Sequence, residues 1–118
     1  MRTASLALAI LAVAACSSDP NMNNPPVTTD VEIVDGAATK GALAFDPNPF
    51  TMSLASQSEV EWGNADGTTH TVVADGGEFT SANISPGSSY SHIFTNPGTY
   101  AYHCSIHPSM VGSIVVTP

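Results

Sequence analysis

Three side chains that can bind a transition metal lie at three-residue intervals near the C-terminal end of the chain. Cys104 offers a thiolate, His107 an imidazole and Met110 a thioether. These are the ligand types of a mononuclear electron-transfer copper centre, in which the thioether is a weak axial ligand. Such a centre needs a second imidazole, and His70, 34 residues upstream of Cys104, is the candidate. Because His70 is remote in sequence, only a folded domain would bring it to the other three residues.

Each ligand assignment has a competing interpretation. Cys104 could be a free buried thiol or half of an intermolecular disulfide. Met110 could be a core residue with Met52 as the rival thioether, although the loop spacing favours Met110. His103 adjoins the cysteine but alternates with it on an extended strand, so it is expected to point away from the metal. His92 has no pairing with the loop, and both histidines are interpreted as structural or surface residues.

Other metal chemistry is disfavoured by what the sequence lacks. Trinuclear oxidase sites are built from His-x-His pairs, and the chain contains none. Binuclear copper centres need two cysteines in the loop, which has one. A structural zinc site needs four strong ligands, and methionine is a poor one. The segment 104–110 contains no Asp or Glu to serve as an acid or base. We therefore expect no catalytic residues and no enzymatic activity.

The segments that must position these ligands have the pattern of short strands. Turn-forming Pro, Gly, Asn and Ser residues separate them, and Val60 and Trp62 alternate with Glu59 and Glu61, as in a strand with one solvent-exposed face. Eight or nine such strands predict an all-β antiparallel sandwich or barrel. The predicted strands are residues 31–34, 42–45, 50–54, 59–62, 69–74, 78–82, 88–95, 99–103 and 111–117.

The N-terminal part of the chain has the pattern of an export signal. Residues 1–15 combine Arg2 with an apolar run too short to span a membrane. The run ends in Val-Ala-Ala before Cys16 and resembles the lipobox of bacterial lipoproteins, in which the cysteine is acylated. An ordinary signal peptide followed by an incidental cysteine is the alternative. Residues 16–30 are predicted to be a lipid-anchored flexible linker, and residues 31–118 the folded domain.

The charge balance limits the possible partners. Only 10% of the 118 residues are charged, and the formal net charge is −8 at pH 7. Two cationic residues leave no basic surface for phosphate groups, so nucleic-acid binding is excluded. Removal of residues 1–15 would leave ten acidic residues against Lys40, a charge of −9. We expect a monomer that meets redox partners with a basic docking surface, such as a cytochrome or an oxidase.

The C-terminal motif resembles a known family. Residues 97–104 read Pro-Gly-Thr-Tyr-Ala-Tyr-His-Cys, and His-Pro and Met follow in the spacing Cys-x-x-His-x-x-Met. This pattern is similar to that of type 1 blue copper proteins, the cupredoxins of the plastocyanin and amicyanin kind. The short loop and the Trp-Gly-Asn at 62–64 upstream of His70 resemble amicyanin more closely. The similarity extends over residues 43–116.

The resemblance implies a Greek-key antiparallel β-sandwich of about eight strands that holds one type 1 copper. It also implies a single-electron carrier, which the export signal would place in the bacterial cell envelope. A copper-delivery protein is the alternative, but a closed loop of mixed ligands favours the carrier. His70 is expected to be buried and His107 to lie near the surface as the electron port. Thr71 departs from the Asn often found at that position, and its hydroxyl cannot bridge as far. The implied ligands are His70, Cys104, His107 and Met110.

Overall fold

The computed structural model describes residues 29–118, in which the regular structure is almost all β. Two short 3-10 turns, Ala37–Thr39 and Gly41–Leu43, lie between the first two strands. The strands are β1 Val31–Ile33, β2 Phe45–Asp46, β3 Phe50–Ser53, β4 Glu59–Asn64, β5 Val73–Ala74, β6 Ser89–Ile93, β7 Gly98–His103 and β8 Val111–Thr117.

The strands form two four-stranded sheets that pack as a sandwich. One sheet has the order β2-β1-β4-β6 and the other β3-β8-β7-β5. The predicted all-β sandwich is confirmed, but β1 pairs with β4 and β3 with β8 in parallel, so each sheet is mixed rather than wholly antiparallel. Turn signals predict hairpins between neighbouring strands. Strands far apart in the chain can pair in either direction, which those signals do not encode.

The core lies between the sheets and is built on the predicted alternation. In β4, Val60 and Trp62 are fully buried while Glu59 is exposed. The Trp62 ring lies 5.5 Å from the ring of Tyr102, which belongs to the opposite sheet. Phe79 packs on the Trp62 ring at 5.6 Å. These contacts connect the two sheets directly beneath the end of β7, where Cys104 follows.

Three of the predicted strands differ from the observed elements. Residues 42 and 43 belong to a 3-10 turn and only residue 45 to a strand, and 69–74 and 78–82 retain only β5 and single bridges. In the last two segments a side chain replaces the strand ladder, because the Ser81 hydroxyl accepts a hydrogen bond from the Val72 N–H at 2.9 Å. The hydroxyl satisfies that donor without a continuous backbone pairing. The chain near His70 is therefore a bridged loop instead of a long strand.

The predicted signal segment 1–15 and Cys16 lie outside the described residues, as does the linker up to residue 28. The first described contacts to the sandwich come from Asp30, whose N–H donates to the Glu61 carbonyl at 3.0 Å. Its carboxylate accepts from the Glu61 N–H at 2.9 Å. Within residues 29–118, no helix is long and apolar enough to cross a membrane.

Candidate metal centre

The segment 104–110 is a tight connection between two paired strands. β7 ends at His103, β8 begins at Val111, and these two residues are register partners. The Cys104 N–H donates to the Met110 carbonyl at 3.1 Å, and the Met110 N–H donates to the His107 carbonyl at 2.9 Å. The loop is therefore closed by its own backbone at both ends, which holds Cys104, His107 and Met110 close together.

His70 approaches this loop from the connection between β4 and β5. Its N–H donates to the Ile84 carbonyl at 3.2 Å, and its carbonyl accepts from the Ile84 N–H at 2.8 Å. This two-bond bridge fixes the backbone of His70, whose side chain is fully buried. The sandwich thus brings together residues 34 positions apart, as the sequence requires for a site at Cys104.

Two imidazoles and a thiol converge at one point. The Cys104 Sγ lies 3.8 Å from Nδ1 of His70 and 3.9 Å from Nδ1 of His107. One ligand atom from each residue lies within 4.8 Å of the other two. Bonds of about 2.0–2.3 Å from nitrogen and sulfur to a common ion require spacings of this size. Cys104 and His70 are fully buried, whereas His107 is partly exposed.

The surroundings of Cys104 favour its thiolate. Burial by itself would raise the pKa of this thiol, but hydrogen bonds lower the pKa to about 6. The backbone N–H groups of Thr71 and His107 donate to the sulfur, and the neighbouring imidazoles of His70 and His107 contribute as well. The Thr71 N–H lies 3.4 Å from the sulfur. Because the thiolate is the metal-binding form of cysteine, this environment prepares the residue for a soft metal ion.

Met110, just before β8, is fully buried, and its carbonyl accepts the Cys104 N–H at 3.1 Å. The rival thioether, Met52, lies in β3 and is the register partner of Val116, near the other end of β8. The five residue steps from 111 to 116 span about 16 Å along a strand. Met52 is therefore remote from Cys104, and a thiolate and two imidazoles, with Met110 as the candidate thioether, fit copper.

The two remaining histidines lie outside the group, as the sequence predicts. His103 points away from Cys104 and pairs through Nδ1 with the Asp75 carboxylate at 2.7 Å, at a partly exposed position. His92 is half-buried, with its ring 4.9 Å from Phe79 and 4.8 Å from Phe94. Burial lowers the pKa of His92. His103 and His92 therefore each have contacts of their own, apart from the His70–Cys104–His107 group.

Thr71 contacts the cysteine loop in spite of its short side chain. Its hydroxyl accepts from the Ser105 N–H at 2.8 Å and also lies 2.8 Å from the Ser105 hydroxyl. The same oxygen is 3.8 Å from the Cys104 sulfur. The Thr71 hydroxyl thus contacts both the backbone and the side chain of the residue that follows the cysteine. The shorter side chain at this position therefore still contacts the cysteine loop, at Ser105.

Asp66 lies behind His70, on the side of the ring away from the sulfur. Its Oδ2 is 2.7 Å from Nε2 of His70, and it is 8% exposed. Burial would raise the pKa of this carboxyl, but hydrogen bonds from His70 and from the N–H groups of Gly36 and Gly67 lower it below its usual value. The centre therefore includes a buried carboxylate that bonds to one of its imidazoles.

With this geometry established, comparison with known proteins identifies the family. The chain matches the cupredoxin-like domain over residues 6–116. The chain belongs to the cupredoxin family. A plastocyanin from Scenedesmus fuscus is 37% identical to this cupredoxin over 100 residues, which cover 74% of the chain and 99% of the plastocyanin.

Solved structures show the same fold. A purple cupredoxin from Nitrosopumilus maritimus superposes with a TM-score of 0.65 and 26% identity, covering 74% of this cupredoxin and 97% of that chain. A Cu(I) form of an amicyanin variant superposes with a TM-score of 0.58 and 27% identity. The match covers 73% of this cupredoxin and 78% of the amicyanin chain. A copper-containing nitrite reductase from Thermus scotoductus matches with a TM-score of 0.62 and 26% identity. That match covers 92% of this chain but 25% of the reductase.

Two residues of this cupredoxin's centre were missed by the sequence analysis. The sequence does not single out Asp66, yet it is the one acidic residue that is buried within residues 29–118. Ser105 is not singled out by the sequence either. The one available signal was the four-residue separation between Asp66 and His70. In a loop that separation has no fixed geometry, so the contact could not be deduced.

Proposed function

We propose that this cupredoxin carries single electrons between redox partner proteins, using one type 1 copper bound by His70, Cys104, His107 and Met110. The observation that supports this most strongly is the convergence of two imidazoles and a thiol at 3.8–3.9 Å, with two of the three residues fully buried. When bound, copper supplies a one-electron couple between Cu(I) and Cu(II).

The protein residues are suited to hold the same ligand arrangement in both oxidation states. His70 is fixed by its bridge to Ile84, and the loop is closed by the bond from Cys104 to the Met110 carbonyl. Buried ligands supported by backbone hydrogen bonds cannot rearrange without disrupting the sandwich. A site that is fixed in this way reorganises little when an electron arrives or leaves.

His107 provides the route between the buried centre and the solvent. It is the partly exposed member of the group, and Ile106 beside it is 46% exposed. Pro108 on its other side is exposed as well. We assign electron entry and exit to the His107 edge, because an apolar surface around it lets a partner approach closely and exclude water.

The arrangement offers nothing for substrate chemistry. The segment 104–110 contains no Asp or Glu. Asp66 bonds to the far side of His70 and does not face the point where the ligands converge. A general acid or base must reach the reacting group, and the Asp66 carboxylate does not. The proposed role is therefore that of a carrier and not of an enzyme, although the same fold occurs within a nitrite reductase.

The partner and the location are further parts of the proposal. A formal charge of −8 suits redox partners with a basic docking surface, such as a cytochrome or an oxidase, and we expect the carrier to act as a monomer. The apolar run before Cys16 suits export to the bacterial cell envelope and attachment to the membrane through a lipid on that cysteine.

Optical spectroscopy and voltammetry test the proposed centre. Copper(II) added to the purified protein should give an intense visible thiolate-to-copper band and a reversible one-electron voltammogram. Cys104→Ser should abolish the band, whereas Met110→Leu should keep it and shift the potential. Met52→Leu is the matched control, because Met52 lies at the other end of β8 and should leave both readouts unchanged.

The same measurements distinguish the carrier from a copper-delivery protein. A colourless complex of the intact protein would contradict the type 1 centre. A coloured complex that releases its metal readily to a chelator and gives no reversible wave would favour delivery. Retention of copper through repeated oxidation and reduction is the result expected of a carrier.

A further inference from the structure

Both oxygens of the buried Asp66 carboxylate have hydrogen-bond partners. Oδ1 accepts from the Gly36 N–H at 3.0 Å and from the Gly67 N–H at 2.8 Å. Oδ2 is left to face Nε2 of His70 at 2.7 Å. The carboxylate therefore has a fixed orientation, with one oxygen assigned to the backbone and the other to the imidazole.

This orientation determines which nitrogen of His70 carries the proton. A carboxylate can only accept hydrogen bonds, so the nitrogen that faces it must donate. A neutral imidazole has one N–H, which this contact places on Nε2. Nδ1 is then left with its lone pair, and Nδ1 is the atom that lies 3.8 Å from the Cys104 sulfur.

We propose that Asp66 is a positioning residue for the copper site: it holds His70 in the Nε2-protonated form, with the Nδ1 lone pair directed at the point shared with Cys104 and His107. The inference rests on the proposed copper function and concerns what prepares one ligand before the metal arrives. A carboxylate behind a ligating histidine fixes the orientation of the ring and makes the ligand more basic.

The surrounding residues keep Asp66 in place. Gly36 has φ +77°, a left-handed conformation that glycine adopts without strain, and its N–H points at the carboxylate. The buried Asn64 accepts from the Asp66 N–H at 2.9 Å. Its amide donates to the Ile84 carbonyl at 2.9 Å, and Ile84 is the residue bridged to His70. One network therefore anchors both the imidazole and the carboxylate behind it.

Asp66→Asn tests the inference with little change in shape. The amide oxygen should take the position that faces the two backbone N–H groups, because the opposite orientation leaves both donors unpaired. The amide nitrogen then faces Nε2 of His70, which must accept, so the proton moves to Nδ1. We expect copper(II) affinity, measured by competition with a chelator, to fall about 10–100-fold.

A second Asp–His pair in the same chain supplies the matched control. Asp75 bonds to His103 at the same 2.7 Å distance, but this pair is partly exposed and lies outside the ligand group. Asp75→Asn should leave copper affinity unchanged. Thermal unfolding of both variants without metal shows whether any loss of affinity follows from a loss of folded protein.

Long-range ¹H–¹⁵N spectra of the metal-free protein report the His70 proton directly, with its signals identified by their loss in His70→Gln. An Nε2-bound proton in the unsubstituted protein and an Nδ1-bound proton in Asp66→Asn support the inference. A proton on Nδ1 in the unsubstituted protein overturns it, even if the Asn variant does not fold. Unchanged copper affinity in a folded Asp66→Asn variant also overturns it. A different result would contradict the proposed function. Copper(II) would then give no visible band, although the His70 proton of the same protein lies on Nε2 as expected.

Discussion

Thr71 and Ser105 connect the two chain segments that supply the buried ligands. Thr71 follows His70 and Ser105 follows Cys104, and the Thr71 hydroxyl accepts the Ser105 N–H at 2.8 Å. The Thr71 N–H also donates to the cysteine sulfur at 3.4 Å. The redox potential of such a centre depends on hydrogen bonding around the sulfur. This pair of residues is therefore where a small change should affect both the stability of the protein and the properties of the thiolate.

Thr71→Val should remove the hydroxyl while it keeps the shape of the side chain and the backbone N–H bond to Cys104. The Ser105 N–H loses its acceptor, so the free energy of unfolding should fall by about 1 kcal/mol. We also expect a lower reduction potential, because the sulfur loses a polar neighbour at 3.8 Å. Urea denaturation and voltammetry measure the two effects.

Thr71→Ser is the control for that substitution, since it retains the hydroxyl. It should show a potential close to that of the unsubstituted protein. If the Ser and Val variants had the same potential, the hydroxyl would have no effect on the thiolate.

At the scale of the elements, β7 and β8 position the ligand loop through one close contact. Tyr102 in β7 is the register partner of Gly112 in β8. The Tyr102 ring packs at 4.8 Å against Phe45 and at 5.5 Å against Trp62. A Cβ on residue 112 would lie 2.6 Å from the Tyr102 ring. The absent side chain at Gly112 thus lets the end of the Tyr102 ring pack closely against β8.

Gly112→Ala should therefore destabilise the protein, because the Tyr102 ring is fully buried and has no space into which to move. Overpacking of this kind costs about 1–3 kcal/mol. The decrease should appear as a lower midpoint of chemical denaturation. Gly67→Ala is the comparison, since a Cβ there meets no atom within 4 Å. Equal midpoints for the two variants would show that the contact with Tyr102 is not restrictive.

At the scale of the whole molecule, charge is the dominant feature. The formal net charge is −8, and among residues 29–118 the acidic residues other than Asp66 have at least partial access to solvent. Apolar side chains are exposed at Ile106, within the ligand loop, and at Val111, which directly follows it. Charge acts over a distance and apolar contact acts at close range, so we expect the acids to guide a partner and the loop to receive it.

Electron-transfer rates with a basic cytochrome should fall steeply as salt increases, because the Debye length shortens to about 8 Å at 0.15 M ionic strength. Stopped-flow kinetics over a range of ionic strength measures this. An acidic cytochrome should react slowly and show the opposite trend. Pro108→Glu should slow transfer with little change in the copper spectrum. Rates with the basic partner that do not depend on salt would contradict steering but not the copper centre.

The proposed lipid anchor is tested on the native protein. Intact mass spectrometry of membrane-extracted material should show a chain that begins at an acylated Cys16. Buried acyl chains contribute about 0.8 kcal/mol per CH₂, so several chains hold a protein firmly at the membrane. Cys16→Ser should release the protein from the membrane fraction. Native protein that is unacylated and not bound to membranes would refute the anchor.

The sequence alone predicted the ligand loop and the kind of fold. Cys104, His107 and Met110 lie within seven residues, so a single turn decides where they are, and turn chemistry is local. The alternation in β4 predicted Val60 and Trp62 as core residues, because the side chains of a strand alternate between its two faces. The metal type followed from the ligand types, which do not depend on how the chain folds.

Only the tertiary structure decided which distant residues surround that loop. The approach of His70, the Thr71–Ser105 contact and the two parallel strand pairs depend on how the two sheets close on each other. Asp66 shows most clearly which contacts the sequence cannot predict, because nothing in its sequence context distinguishes it from the exposed acids. It is buried against His70 since a loop and the Gly36 turn meet there. Long-range packing determines such contacts, whereas propensity and spacing describe only neighbours along the chain.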